Sequence, residues 1–284
     1  MPADPEQMKD YHVDGARFAV FEGGEGEPVV MLHGYVGSHK TWRHQLPALA
    51  QDYRVIAPDL PGWGRSSRDP NLDYHLDSEL ARLVGLLDQL GLAECNLFGH
   101  DYGGLLALGL VLKHPQRVRR LALLNTRAHG PFHPEWMMIF GLLGKMGALP
   151  GGAQMARMLP LSFVHRNGLS REIKLGVIGP AEVAEYTDWM SGDPQGAAFL
   201  TKFMADYEMK PRADFAAGLS QISCPTAVIW GAKDVYLPVS TAHELHQGIP
   251  GAQLTLIDKA GHFICEEAPE KVLGALKSLL AIPV

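Results

Sequence analysis

Six short apolar runs, separated by longer helical patterns, set the limits on what this chain can become. They lie at 28–32 (PVVML), 53–57 (YRVIA), 96–99 (NLFG), 120–124 (RLALL), 226–230 (TAVIW) and 253–257 (QLTLI). Amphipathic stretches such as 77–90 and 102–113 fall between them. Runs this short and this evenly apolar are strands buried on both faces. With helices between them, they predict a parallel sheet in an α/β fold. Residues 11–21 read differently, as a hairpin turning at Asp14-Gly15.

The rhythm stops after Asn125. From Arg127 to Arg212 no convincing strand appears, and Pro134, Pro150-Gly151-Gly152, Pro160, Gly179-Pro180 and Pro194 interrupt a helical, apolar text. The division expected is therefore a core of 1–126 and 213–284 with a helical cap at 127–212. Eight of the eleven methionines fall in that stretch (137, 138, 146, 155, 158, 190, 204 and 209). They read either as an irregular helical core or as a lid whose flexible thioethers line an apolar slot.

Composition narrows the function classes. Of 284 residues, 46% are hydrophobic and 20% charged, enough for a sizeable core. The net charge is −6 with no block of like charges, which argues against a nucleic-acid partner. The stretch 105–112 is far too short to span a bilayer, so no membrane partner is expected. The N-terminus, MPADPEQMKD, lacks the apolar region of a signal peptide. Cys95, Cys224 and Cys265 are odd in number and contain no CxxC pair. They fit a reducing cytoplasm, without disulfides or a zinc site.

Gly99-His100-Asp101-Tyr102-Gly103-Gly104 sits between a predicted strand and a predicted helix. Its glycines permit a tight turn that presents Asp101 at the carboxyl end of the sheet, where α/β folds place their sites. This is the pattern of a nucleophile elbow with aspartate in place of serine. No Gly-x-Ser-x-Gly occurs in the chain, so a serine esterase is not expected. Taken alone, Asp101 also reads as a helix N-cap.

Further pieces accompany the elbow: His33-Gly34-Tyr35, Pro58 to Ser66 (PDLPGWGRS), Trp230-Gly231-Ala232-Lys233-Asp234 and Gly261-His262-Phe263. In this order they resemble the α/β-hydrolase superfamily over essentially the whole chain, and specifically its aspartate-nucleophile branch. The resemblance is strongest to epoxide hydrolases, with haloalkane and haloacetate dehalogenases as neighbours. It implies an α/β-hydrolase fold: a mostly parallel sheet, helices on both faces and an inserted helical cap. It also implies that Asp101 attacks carbon to form an ester, and that His262, oriented by Asp234, activates the water that hydrolyses it. The backbone N–H groups of Tyr35 and Tyr102 match the oxyanion-hole positions.

Other residues take lesser roles in this reading. Asn125 occupies a second acid position, but an amide cannot supply the charge. His33, Asp59 and Arg65 read as structural. His100 should face away from its neighbour Asp101, and Cys265 reads as a small buried side chain.

The branch turns on what serves the leaving group. Tyr102 stands where haloalkane dehalogenases carry tryptophan and haloacetate dehalogenases carry arginine. His133 and Trp136 nevertheless leave a halide site open. An epoxide hydrolase needs a proton donor for the opening ring, and the resemblance implies cap tyrosines, here Tyr186 and Tyr207. Val36 departs from the proline usual after His-Gly-Tyr. The expected activity is hydrolysis of an epoxide to a vicinal diol. Dehalogenation by the same triad, or a non-enzymatic binding role, stand as alternatives. No metal or organic cofactor is implied. The expected partners are a small apolar substrate and water as co-substrate, and the expected state is a monomer or homodimer.

Overall fold

In the computed structural model, residues 8–128, 134–193, 195–207 and 212–284 are described, apart from the side chains of 135 and 136. The strands are β1 (Met8–Val13), β2 (Ala16–Gly23), β3 (Pro28–Leu32), β4 (Arg54–Pro58), β5 (Cys95–His100), β6 (Val118–Leu124), β7 (Thr226–Gly231) and β8 (Gln253–Ile257). They form one sheet in the order β1-β2-β4-β3-β5-β6-β7-β8. The β1–β2 and β2–β4 pairs are antiparallel and the rest are parallel. The hairpin turns at Asp14 and Gly15, both with positive φ (44° and 77°), as a two-residue turn of that type demands.

Burial on both faces explains five of the six apolar runs; the sixth, β8, is the edge strand and leaves Gln253 and Leu256 exposed, contrary to the expectation. Alternate residues of one strand enter different cores. Val30, Leu32, Leu97, Leu121, Leu123, Val228 and Trp230 join one; Val29, Met31, Phe98, Ala122, Leu124, Ala227 and Ile229 join the other. The helices Leu76–Gln89 and Tyr102–Lys113 cover the first face, and Pro269–Leu280 covers the second. Full burial of such a side chain contributes about 1.5–3 kcal/mol, so a polar residue within a central run would be costly.

Between β6 and β7 no strand occurs among the described residues. Helices follow one another at Pro134–Gly147, Gly152–Ala156, Leu161–Gly168, Ser170–Leu175, Pro180–Thr187, Trp189–Gly192, Gly196–Asp206 and Ala213–Gly218. This insertion rests on the loop after β4. Phe199 and Phe203 each meet Trp63 edge-on at 5.3 Å, and Phe199 meets Tyr74 at 5.1 Å. Ion pairs add further ties. Lys40 pairs with Glu185, and Arg43 with Glu266 while also donating to the Val177 carbonyl. Arg171 pairs with Glu267, whose carboxylate also accepts from the Gly261 N–H, one residue before His262.

Of the methionines in the insertion, Met204 lines the cavity described below, whereas Met138, Met155 and Met158 face solvent. Met209 and His133 lie outside the described residues, as does the side chain of Trp136. No helix among the described residues is long and apolar enough to cross a membrane.

Candidate active site

Asp101 follows β5 directly and caps the Tyr102–Lys113 helix with φ 48° and ψ −114°. A non-glycine residue at positive φ is strained, and such strain persists only where its surroundings fix it. Here the Asp101 N–H donates to the Leu124 carbonyl (3.0 Å), and its own carbonyl accepts from Thr126 Oγ1 (2.6 Å). Gly103 allows the turn to close, since a Cβ there would lie 2.4 Å from the Leu32 carbonyl oxygen. Gly34 plays the matching part on the facing loop: its Cβ would lie 2.6 Å from that of Asp101.

That close approach brings the Tyr35 N–H to Asp101 Oδ2 at 2.8 Å. The other carboxylate oxygen, Oδ1, lies 3.8 Å from His262 Nε2. His262 Nδ1 donates to Asp234 Oδ2 at 2.8 Å. The three candidates from β5, the loop after β7 and the loop after β8 thus meet above the sheet. Tyr102 opens the helix behind Asp101. No hydrogen bond from its N–H to the Asp101 carboxylate occurs among the described residues.

Asp234 is held at every lone pair. Oδ1 accepts from the Tyr236 and Leu237 N–H groups (2.7 and 3.0 Å), and Oδ2 accepts from Asn125 Nδ2 (2.7 Å) as well as from His262. Asn125 Oδ1 in turn accepts from the Gly231 N–H at 3.0 Å. Asn125 therefore positions the acid rather than replacing it. Burial opposes ionisation of Asp234, but the His262 charge and these bonds outweigh it and hold its pKa below the ordinary value. For His262, burial again opposes charge, while Asp234 and then Asp101 carry its pKa up to about 9.

His33 accepts from the Leu60 N–H, His39 and Arg65 donate to Asp59, and His100 Nε2 donates to the His262 carbonyl at 2.8 Å. These four are structural contacts.

A narrow apolar cavity opens over the site. Tyr35, Tyr102, Phe140, His165, Phe203 and Tyr207 are among its lining residues, with Asp101 and His262 at its floor. Tyr207 is in this wall. Arg127 Nε donates to its hydroxyl at 3.4 Å, and the guanidinium lies 5.3 Å from its ring centroid. Burial raises the Tyr207 pKa, and Arg127 partly offsets that. Tyr186 is not among the lining residues. Its buried hydroxyl makes no close hydrogen bond among the described residues and faces the side chains of Glu266, Arg43 and Thr41.

Two side chains beside the site escaped sequence reasoning. Arg127 stands just past β6 and carries no motif. His165 donates from Nδ1 to the Leu161 carbonyl (2.8 Å), which fixes the tautomer, and its Nε2 accepts from the Tyr35 hydroxyl at 2.7 Å. Burial lowers the His165 pKa, consistent with a neutral ring. No spacing in the sequence links positions 35 and 165; only the seating of the insertion does.

The family model described as alpha/beta hydrolase fold matches residues 27–269. Among curated proteins, a 2-hydroxymuconate semialdehyde hydrolase of Pseudomonas sp. (strain CF600) is 30% identical, covering 98% of this chain and 95% of its own length. A cis-3-alkyl-4-alkyloxetan-2-one decarboxylase of Shewanella oneidensis is 29% identical, covering 94% and 86%. Among solved structures, a thermophilic esterase from Thermogutta terrifontis superposes with a TM-score of 0.77 at 28% identity, covering 96% of this chain and 98% of that one.

Proposed function

The chain belongs to the alpha/beta hydrolase fold family, and from that premise we propose that this hydrolase opens an epoxide to a vicinal diol through an ester on Asp101. The observation that carries the reading is the division of labour within one carboxylate. Oδ2 is occupied by the Tyr35 N–H, while Oδ1 faces the cavity beside His262. In a site built for a serine nucleophile, that N–H would await the substrate's carbonyl oxygen. Here it already holds the oxygen that becomes the ester carbonyl.

The steps follow from the positions. Asp101 Oδ1 attacks an epoxide carbon, the ring C–O bond breaks, and the Tyr207 hydroxyl gives its proton to the leaving oxygen. Arg127 stabilises the phenolate that results. Esterification removes the Asp101 charge, one of the influences that hold His262 protonated. His262 then yields a proton, returning it through water to Tyr207, and becomes a base. It takes a proton from water, hydroxide attacks Cγ of Asp101, and the Tyr35 N–H stabilises the oxyanion on Oδ2, joined in the proposal by Tyr102 N–H. Collapse releases the diol, and the acid proton goes to its oxygen. Tyr186, outside the cavity, has no part.

A second reading has one observation in its favour. The Shewanella relative is named for an oxetan-2-one, another strained oxygen ring, and a carboxylate can attack that ring as well. The deciding experiment is a parallel assay of styrene-type epoxides, cis-dialkyl oxetan-2-ones, haloalkanes and haloacetates with wild type and Asp101→Asn. Diol formation that vanishes in the variant supports the epoxide reading. Turnover of one of the other classes alone replaces it.

A further inference from the structure

The exposed surface of the insertion differs from the rest of the surface in two independent ways. Nine of the thirteen exposed large hydrophobic side chains among the described residues lie between positions 138 and 175. Met158 is 79% exposed, Met138 72% and Phe163 63%. Monomeric soluble proteins scatter such residues, and their concentration marks an interaction surface.

Charge is the second difference. From 136 to 171 the sequence contains no aspartate or glutamate, yet it carries Lys145, Arg157, Arg166 and Arg171. The whole chain is acidic, with 31 carboxylate residues against 25 basic ones. Arg166 and Arg171 are paired with Asp188 and Glu267. Lys145 and Arg157 are exposed and meet no carboxylate among the described residues.

The geometry aligns the two features. Met138, Leu142 and Lys145 follow spacings of four and three along the Pro134–Gly147 helix, so they share one stripe. The other side of that helix is occupied. Gly144 and Gly147 press against the Met204 and Thr201 carbonyls of the Gly196–Asp206 helix, and Ile139 and Phe140 line the cavity. The Leu161–Gly168 helix repeats the arrangement, with His165 in the cavity wall and Phe163 exposed.

We propose that this outer face of the insertion adsorbs to an anionic lipid surface, its apolar side chains entering the headgroup boundary and Lys145 and Arg157 meeting lipid phosphates. The attachment is peripheral, since no described helix can span a bilayer. It departs from the expectation of no membrane partner, which rested on the shortness of the apolar stretch 105–112, because peripheral adsorption needs no spanning segment. It is independent of which substrate Asp101 attacks. Its consequence is that the wall of the cavity lies at the interface, where apolar substrates accumulate.

The test is sedimentation of the full chain with sucrose-loaded phosphatidylcholine vesicles, with and without phosphatidylglycerol. The wild type should sediment with the anionic vesicles and be released by salt at ~1 M, where screening shortens to about 3 Å. Lys145→Ala and Arg157→Ala should each weaken binding about five-fold. Met158→Ser with Phe163→Ser should weaken it further, with thermal melting unchanged because both side chains are exposed. A wild type that stays in the supernatant overturns the proposal, as does binding that the variants leave intact. If the Met158→Ser, Phe163→Ser protein instead turns a dimer into a monomer in sedimentation equilibrium, and no vesicle binding is seen, the face joins two copies of this chain.

Discussion

The N–H of Tyr35 donates to Oδ2 of Asp101 at 2.8 Å, which leaves Oδ1 as the oxygen 3.8 Å from His262 Nε2. One carboxylate thereby has one oxygen anchored and the other left toward His262, and under the proposed mechanism the consequences can be measured.

Asp101→Asn should lower turnover by roughly 10⁴-fold or more, as loss of a nucleophile does, while the fold survives because the amide oxygen still accepts from Tyr35. In a single turnover of the wild type in heavy-oxygen water, the label should enter the Asp101 carboxylate. Label found only in the first-turnover product would mean direct attack by water and end the covalent mechanism.

His262→Gln should stop the cycle at the ester, since alkylation needs no base. Intact-mass measurement after substrate addition should then show a stable adduct. A folded, substrate-binding variant that never gains mass would remove His262 from the role of water-activating base. Asp234→Asn should accumulate the adduct more weakly, because the imidazole keeps its nitrogen and loses its orienting charge.

The same pair imposes a pH dependence on stability. The folded pKa of His262, about 9, lies above its ordinary 6.5. Its contribution is therefore complete below about 6.5 and disappears as pH rises through about 9. At full strength it is on the order of 3 kcal/mol. Thermal melting of wild type should fall between pH 7 and pH 10 by more than that of His262→Gln. Parallel curves for the two proteins would refute the assignment.

Tyr207→Phe should slow ester formation by about 10²–10⁴-fold and leave hydrolysis of a preformed ester unchanged. Arg127→Gln should act in the same step, more mildly, by withdrawing the charge that stabilises the phenolate. Tyr186→Phe should leave both steps alone and cost little stability, since the hydroxyl it deletes makes no close hydrogen bond among the described residues. Rapid-quench measurement of the two steps distinguishes all three, and a slow alkylation step in Tyr186→Phe would reverse the choice of acid.

What could be read in advance followed from local physics. Five of the six apolar runs became strands because each is buried on both faces, whereas 253–257 pairs at the sheet edge with Gln253 and Leu256 exposed; the elbow was visible because glycines must stand where backbones touch. The meeting of Asp101, Asp234 and His262 was legible because each follows a strand of one parallel sheet. The two tyrosines were not separable by sequence. Tyr186 and Tyr207 both fall in helical, apolar text, and only the packing of Phe203 and Tyr102 against Tyr207 brings it to the cavity. The placement of Arg127 and His165 beside the site depends on contacts across 80 and 130 residues, which no periodicity encodes.

Arg171 reaches from the insertion to Glu267, and that carboxylate also grips the N–H next to His262. The Glu267 side chain is only 3% exposed, so without its cation it would be a buried, uncompensated charge. The insertion is for that reason not an interchangeable module. A chimera carrying another protein's helices on this sheet would disturb the loop that carries His262 before any substrate arrived, unless an arginine were rebuilt at the position of Arg171. Selectivity in this scaffold can be re-engineered at the cavity wall, but only by changes that leave that anchor in place.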